Sequence, residues 1–214
     1  MARPRTNHTA KRDELIKTAF ALFMEKGYED TSIQDIMDAA KISKGAMYHY
    51  FACKEDVLDA VLNYIIDSDA KRLEPVFEDK SLSSLDKLML SMNFSCNPQS
   101  EAVQQATEYI IQRKDSIFDY RARELSKERT LPKLTELIKE GISNGEFHTD
   151  YPEEMAVFIY MSSQPMAEMI MKQSDTSALL RVFEAFTLLL TNCLGLEKKE
   201  HDLLINHFRD QLKV

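Results

Sequence analysis

What this chain lacks narrows its function first. Its 214 residues hold only five glycines and six prolines, and no run of alternating β-branched residues marks a strand, so helices are expected to dominate. No apolar stretch runs unbroken for the roughly 18 residues a membrane span requires. The greasiest segment, Ala178 to Leu196, is interrupted by Arg181 and Glu184. The start, Met1-Ala2-Arg3-Pro4-Arg5, is basic but has no apolar signal segment, so a cytoplasmic protein without membrane contact is expected.

Catalytic chemistry is equally sparse. The three cysteines, Cys53, Cys96 and Cys193, are odd in number and far apart, which suits neither a disulfide framework nor a close-spaced zinc pattern. Reduced structural thiols are expected, with Lys54 the one neighbour able to activate Cys53. The five histidines form no HExxH pair, and neither a GxSxG turn nor a phosphate-cradling glycine loop occurs. An enzyme would show a constellation of titratable groups, and none stands out. The expectation is a non-enzyme with no cofactor and no metal site.

Charge is unevenly spread. The chain carries −8 overall, yet residues 1–54 hold nine basic and seven acidic side chains, a balance of +2, which leaves −10 on the remainder. Because screening confines each charge to about 8 Å at physiological salt, one end can meet phosphates while the other repels them. A solvated basic tail would give the same balance.

The first fifty residues carry the informative pattern. Leu15, Ile16, Ala19, Phe20, Leu22 and Phe23 recur at helical spacing from Lys11 onward, and Gly27 stands where a left-handed cap would end the helix. Thr31-Ser32 offers hydroxyl caps, Asp35 sits three residues after Ser32 as in a capping box, and Ile33, Ile36, Met37 and Ala40 form one apolar stripe. After Lys41-Ile42, Ser43 caps a third short helix, Lys44 to His49, followed by aromatic residues through Phe51. Two short helices around a tight turn behind a longer one predict a helix-turn-helix.

Phe23-x-x-x-Gly27-Tyr28, Thr31-Ser32-Ile33, Ile36, Ala39 and Ser43-Lys44-Gly45-Ala46-Met47-Tyr48-His49-Tyr50-Phe51-x-x-Lys54 together resemble the tetracycline-repressor (TetR) family. The likeness covers the first 55 to 60 residues and continues faintly at Glu140-Gly141-Ile142 and Gly145-Glu146-Phe147. One position departs from the family pattern: Lys41 stands where the turn usually has glycine. A non-glycine forced to positive φ costs on the order of 1 kcal/mol. The resemblance implies an all-α protein with an N-terminal three-helix DNA-binding domain and a C-terminal helical bundle for ligand binding and dimerisation. Domains are expected at 1–52 (helix-turn-helix), 53–74 (connecting helix) and 75–214 (ligand binding and dimerisation).

Reach and charge select the DNA-contacting residues. Gly45 and Ala46 are small enough to let the third helix approach the groove floor, where Lys44 can donate to guanine. Tyr48, His49 and Tyr50 offer donors at groove-edge height, Thr31, Ser32 and Ser43 supply hydroxyls at helix starts, and Lys54 opens the next helix at its positive end. Phe51 has no polar handle and is expected in the core, and one of Tyr48 and Tyr50 could join it.

Downstream, helices are expected from Lys54 to Pro75, Leu82 to Asn97 (ended by Pro98), Glu101 to Lys114, Ile117 to Ser143 with a kink or restart at Pro132, Pro152 to Lys172 after an Asp150 cap, and Ser177 to Leu194. The last two are apolar nearly all round, so a second subunit is expected to cover them. Met89, Met92, Asn93, Phe94, Gln105, Tyr109, Gln112, Phe118, Phe158 and Met161 mix thioethers, rings and amides as an apolar ligand pocket would. Ordinary core packing explains the same residues equally well. Together these features predict a homodimeric regulator, most simply a repressor, that binds a palindromic operator in double-stranded DNA and is released by a small-molecule effector. An activator, a regulator without a sensor, an enzyme on a helical scaffold and a protein-binding adaptor are the alternatives.

Overall fold

The computed structural model describes residues 5–92, 101–113, 115–171 and 175–212. Among them the protein is all-α, without strands. The helices are α1 (Arg5–Lys26), α2 (Ile33–Ala40), α3 (Lys44–Tyr50), α4 (Lys54–Glu78), α5 (Ser84–Ser91), α6 (Glu101–Arg113), α7 (Ser116–Ser143), α8 (Pro152–Met171), α9 (Thr176–Leu194) and α10 (Lys198–Leu212).

Contacts divide the chain into two compact units that do not follow the linear boundaries at 52 and 74. The first comprises residues 1–69 and 100–125, the second residues 70–99 and 126–214. The helix-turn-helix is thus completed by α6 and the first turns of α7. The physical reason is its small core: Phe20, Phe23, Ile36 and Met47 bury themselves together with Val61 and Leu62 of α4, Tyr109 of α6 and Phe118 of α7. α2 and α3 are only eight and seven residues long, and helices that short offer too little surface to close an apolar core with α1 and α4 alone.

In the second unit, the Phe183 ring of α9 stacks on Phe208 of α10 at 4.5 Å between centroids. Gly141 lets α7 approach the following loop closely. A Cβ there would stand 2.2 Å from the Phe147 ring, and the Glu146 and Phe147 amides donate back to the Gly141 carbonyl at 2.8 and 3.1 Å. Lys87 of α5, almost wholly buried, pairs with Glu140 at 2.7 Å.

Several helix limits differ from expectation. Pro75 does not end α4, which runs on to Glu78; the Asp79 amide still bonds the Pro75 carbonyl at 3.1 Å, so the proline forfeits only its own donor. Likewise α7 passes Pro132 as one helix. Ser83, in a capping box with Asp86, starts α5, which ends at Ser91; the remainder of that predicted helix, with Asn97 and Pro98, lies outside the described residues, as do Lys114 and Lys172. Pro152 opens α8, and the Tyr151 carbonyl, not Asp150, accepts its first bond, from Met155 at 2.9 Å. No helix was expected at α10, whose narrow stripe of Leu204 and Phe208 is masked by charged neighbours. Despite Arg181 and Glu184, α9 is long and apolar enough by length and composition to cross a membrane. Its Leu179, Phe183, Phe186, Leu190 and Leu194 are buried in the core of the second unit, which is what an apolar core helix also does.

Candidate nucleic-acid interface

The interface is built from its caps upward. At the start of α2, Ser32 Oγ accepts from the Asp35 amide at 3.1 Å while the Asp35 carboxylate accepts from the Ser32 amide at 2.8 Å, closing the expected capping box. The Ser32 hydroxyl and amide, then Lys26, hold the Asp35 carboxyl down at about 2.

The end of α2 turns at Lys41, which adopts φ 52° and ψ 48° and is the one non-glycine at positive φ among the described residues. The Lys41 amide donates to Asp38 and the Ile42 amide to Met37, at 3.3 and 3.1 Å. This crossed pair is the usual closure of a helix on a left-handed residue. A lysine fits where the family pattern has glycine because two backbone bonds offset the strain of its Cβ.

Ser43 then caps α3, its Oγ accepting from the Ala46 amide at 3.3 Å. On α3, Met47 is fully buried, while Lys44, Gly45 and His49 are exposed and Tyr48 is 49% exposed. A side chain added at Gly45 would meet nothing within 4 Å. Lys44 Nζ lies 5.9 Å from the Tyr48 ring centroid, so the two share one face. Tyr50 is half-buried against the core with His49 at its ring edge. Phe51 is buried beneath the Arg12 guanidinium, 5.1 Å from its ring centroid.

Two candidates have other employment. Thr31 is wholly buried, and its hydroxyl donates to the Gly27 carbonyl at 2.7 Å, so it stabilises the α1–α2 turn instead of meeting phosphate. Lys54 Nζ sits 4.4 Å from the Tyr28 ring centroid and donates to the Glu29 carbonyl at 3.1 Å; it is seated on the turn as well as facing outward. Beside it, Cys53 is exposed. The Asp56 amide favours its thiolate, but the Glu55 side chain, some loss of hydration and the Asp56 charge prevail and raise its pKa, the reverse of activation by Lys54.

The proposed pocket residues are not brought together on one unit. Gln105, Tyr109, Gln112 and Phe118 belong to the first unit, and Met89, Met92, Phe158 and Met161 to the second. Asn93 and Phe94 lie outside the described residues. Tyr109 and Phe118 pack edge to face in the first core at 4.9 Å, and both Tyr109 oxygen contacts are internal. Phe158 and Met161 point outward from α8, 54% and 61% exposed. No group of three or more His, Cys, Asp or Glu side chains arranged to hold a metal occurs among the described residues.

A buried-backed, capped recognition helix presenting lysine, tyrosine and histidine defines a helix-turn-helix DNA-binding regulator. Residues 15–61 match the family described as bacterial regulatory proteins, tetR family. Over 151 residues the chain is 26% identical to the transcriptional repressor KstR2 of Mycolicibacterium smegmatis, covering 66% of this chain and 69% of that protein. It is 48% identical to the transcriptional regulator YuxN of Bacillus subtilis over 63 residues, which cover 29% of this chain and 22% of that one. A TetR-family regulator from Pectobacterium atrosepticum has a similar structure, with a TM-score of 0.63 and 26% identity over 90% of this chain and 98% of that one. Together these matches indicate a TetR-family transcriptional regulator, with the family's own pattern lying in residues 15–61.

Proposed function

We propose that the protein is a dimeric repressor that binds a palindromic operator through α3 and releases it when a small molecule binds the helices that follow α4. The observation that carries the DNA reading is the exposed Lys44–Gly45–Tyr48–His49 face over the buried Met47. In this reading Lys44 reads a base edge, Gly45 and Ala46 allow close approach, and Tyr48, His49, Ser43, Ser32 and Lys54 hold the backbone. Tyr50 contributes through its half-buried edge.

Dimerisation is supported by large apolar side chains left exposed on late helices: Phe158 and Met161 of α8, Leu188 and Leu189 of α9. Paired by a two-fold axis, two copies would present recognition helices about 34–36 Å apart or a multiple of that. The repressor sense is supported by the named relative, a repressor. Such proteins act in the cytoplasm, where the operator is.

The test is selection of duplexes from a random pool by the purified protein, followed by titration in the presence of a metabolite panel. The expected result is enrichment of an inverted repeat, bound by two chains, with affinity falling some 5–150-fold for an effector of ordinary coupling strength, about 1–3 kcal/mol. Enrichment of no sequence, or of a single asymmetric half-site bound by one chain, would contradict the reading.

A further inference from the structure

The end of α1 and the turn after it are gripped from far along the chain. Arg113, the last residue of α6, donates from Nη1 to the Lys26 carbonyl at 2.9 Å and from Nη2 to the Glu25 carbonyl at 2.6 Å. These are carbonyls that the last turn of α1 cannot satisfy itself, and a cation there also suits the helix dipole.

Beside it, the Tyr109 hydroxyl donates its one proton to Asp115 at 2.5 Å. Asp115 is fixed in turn by the Phe118 amide at 3.0 Å, at the start of α7. With its proton committed, the Tyr109 oxygen can only accept, and it takes the Tyr28 amide at 2.9 Å. Gly27 is favoured here by its φ of 102°; a Cβ would only touch Tyr109 Oη and Arg113 Nη1, each at 3.6 Å, the distance of ordinary contact.

Tyr28 is the residue on whose ring the Lys54 ammonium rests, and the adjoining Glu29 carbonyl accepts from the same ammonium. Local chemistry already closes α1, since the Gly27 amide bonds the Phe23 carbonyl at 2.9 Å. The remote bonds therefore fix where the turn sits, beyond ending the helix.

We propose that Tyr109, Arg113 and Asp115 are positioning residues for DNA binding: from the α6–α7 corner they hold the Gly27–Glu29 turn, and through it the seat of Lys54. This rests on the DNA reading above. Tyr109, named from sequence as a pocket residue, acts here through its hydroxyl on backbone.

The test uses Tyr109→Phe in the full chain, which keeps the ring against Phe118 and removes only the oxygen, with Arg113→Lys as a second variant that keeps the charge but loses the two-pronged donor. Hydrogen exchange at the Tyr28 amide and binding to a duplex selected by the wild-type protein are both read. Loss of one net hydrogen bond predicts affinity lower by about three- to tenfold, equally on selected and scrambled duplexes, with faster exchange at Tyr28. Combined with Lys54→Met, Tyr109→Phe should cost less than the product of the two effects; combined with Lys44→Ala it should multiply. A purely structural bond would lower the melting temperature, leave DNA affinity unchanged and multiply with Lys54→Met, and that result would overturn the proposal. Failure of the wild-type protein to bind any duplex would instead bring down the DNA reading, whatever the exchange rate at Tyr28.

Discussion

The unit built on the helix-turn-helix and the unit built on α8 to α10 both have apolar cores, but they spend their polar contacts differently. In the first, side chains from residues 109 to 121 reach across the sequence to backbone at the α1–α2 turn and to a carboxylate of α4. Tyr109 meets the Tyr28 amide, Arg113 the α1 carbonyls, and Arg121 clasps Asp59 with two bonds of 2.6 and 2.7 Å. In the second, Ser84 and the Leu85 amide bond Glu146, and Lys87 bonds Glu140, while α8 and α9 leave large apolar side chains outside. Directional bonds fix positions to a fraction of an ångström, which reading a groove requires. Apolar faces tolerate repacking, which suits a surface that pairs with a second copy.

The strongest way to break that contrast is to empty the second core. Phe183→Ala removes a buried ring stacked on Phe208 and should cost about 3–5 kcal/mol, measured by urea unfolding. If apolar contact is what holds this unit, the transition shifts by that amount; a change under about 1 kcal/mol would contradict it. Gly141→Ala should cost next most, about 1–3 kcal/mol of overpacking, because the Phe147 ring occupies the space of the new methyl.

Lys41→Gly should move the other way. Relief of the left-handed strain at φ 52° is worth about 1 kcal/mol, less what is lost as glycine loosens the unfolded chain, so a small rise in melting temperature is expected. A fall would mean that the lysine side chain itself holds the turn.

The smallest effect is a pH dependence at the start of α2. The Asp35 carboxyl is depressed to about 2 in the fold against about 3.9 in an unfolded chain. A depressed acid stabilises above its unfolded value and loses that contribution as pH falls through the folded one. Protection of the α2 amides, measured relative to their intrinsic exchange at each pH, should therefore fall between about pH 4 and pH 2, and Asp35→Asn should flatten that response while Asp38→Asn leaves it in place.

What the sequence made legible was local. The Ser32–Asp35 box, the Ser43 cap and the strained place of Lys41 each lie within a few residues of what they bond, so the residue types announce them. Buried Phe51 follows from its lack of a polar handle and exposed Lys44 from its charge. The bonds from Tyr109, Arg113 and Arg121 were not legible, because their partners lie 62 to 88 residues away and nothing in residue type names a partner at that distance. For the same reason Tyr109 and Phe118 read as pocket residues. An aromatic at helical spacing looks alike whether it faces a ligand or a core. Thr31 misled differently, since a hydroxyl near a helix start suits phosphate and carbonyl equally, and only its burial decides. Pro75 suggested a helix end, and Pro132 a kink or restart, where the helices run on, because each proline removes one donor while its neighbours keep theirs.

The central claim is that the exposed face of α3 meets DNA, and Gly45 isolates it. A side chain there meets nothing within 4 Å, so Gly45→Glu should leave the melting temperature unchanged or raise it by up to about 1 kcal/mol worth of helix propensity, an acid in the first turn being favourable. The same carboxylate and its bulk would face phosphates and the groove floor. Fluorescence anisotropy on the selected duplex should show affinity reduced by at least about a hundredfold, the scale of one or two lost base contacts. Undiminished binding by a folded Gly45→Glu protein would mean that DNA is met by some other surface.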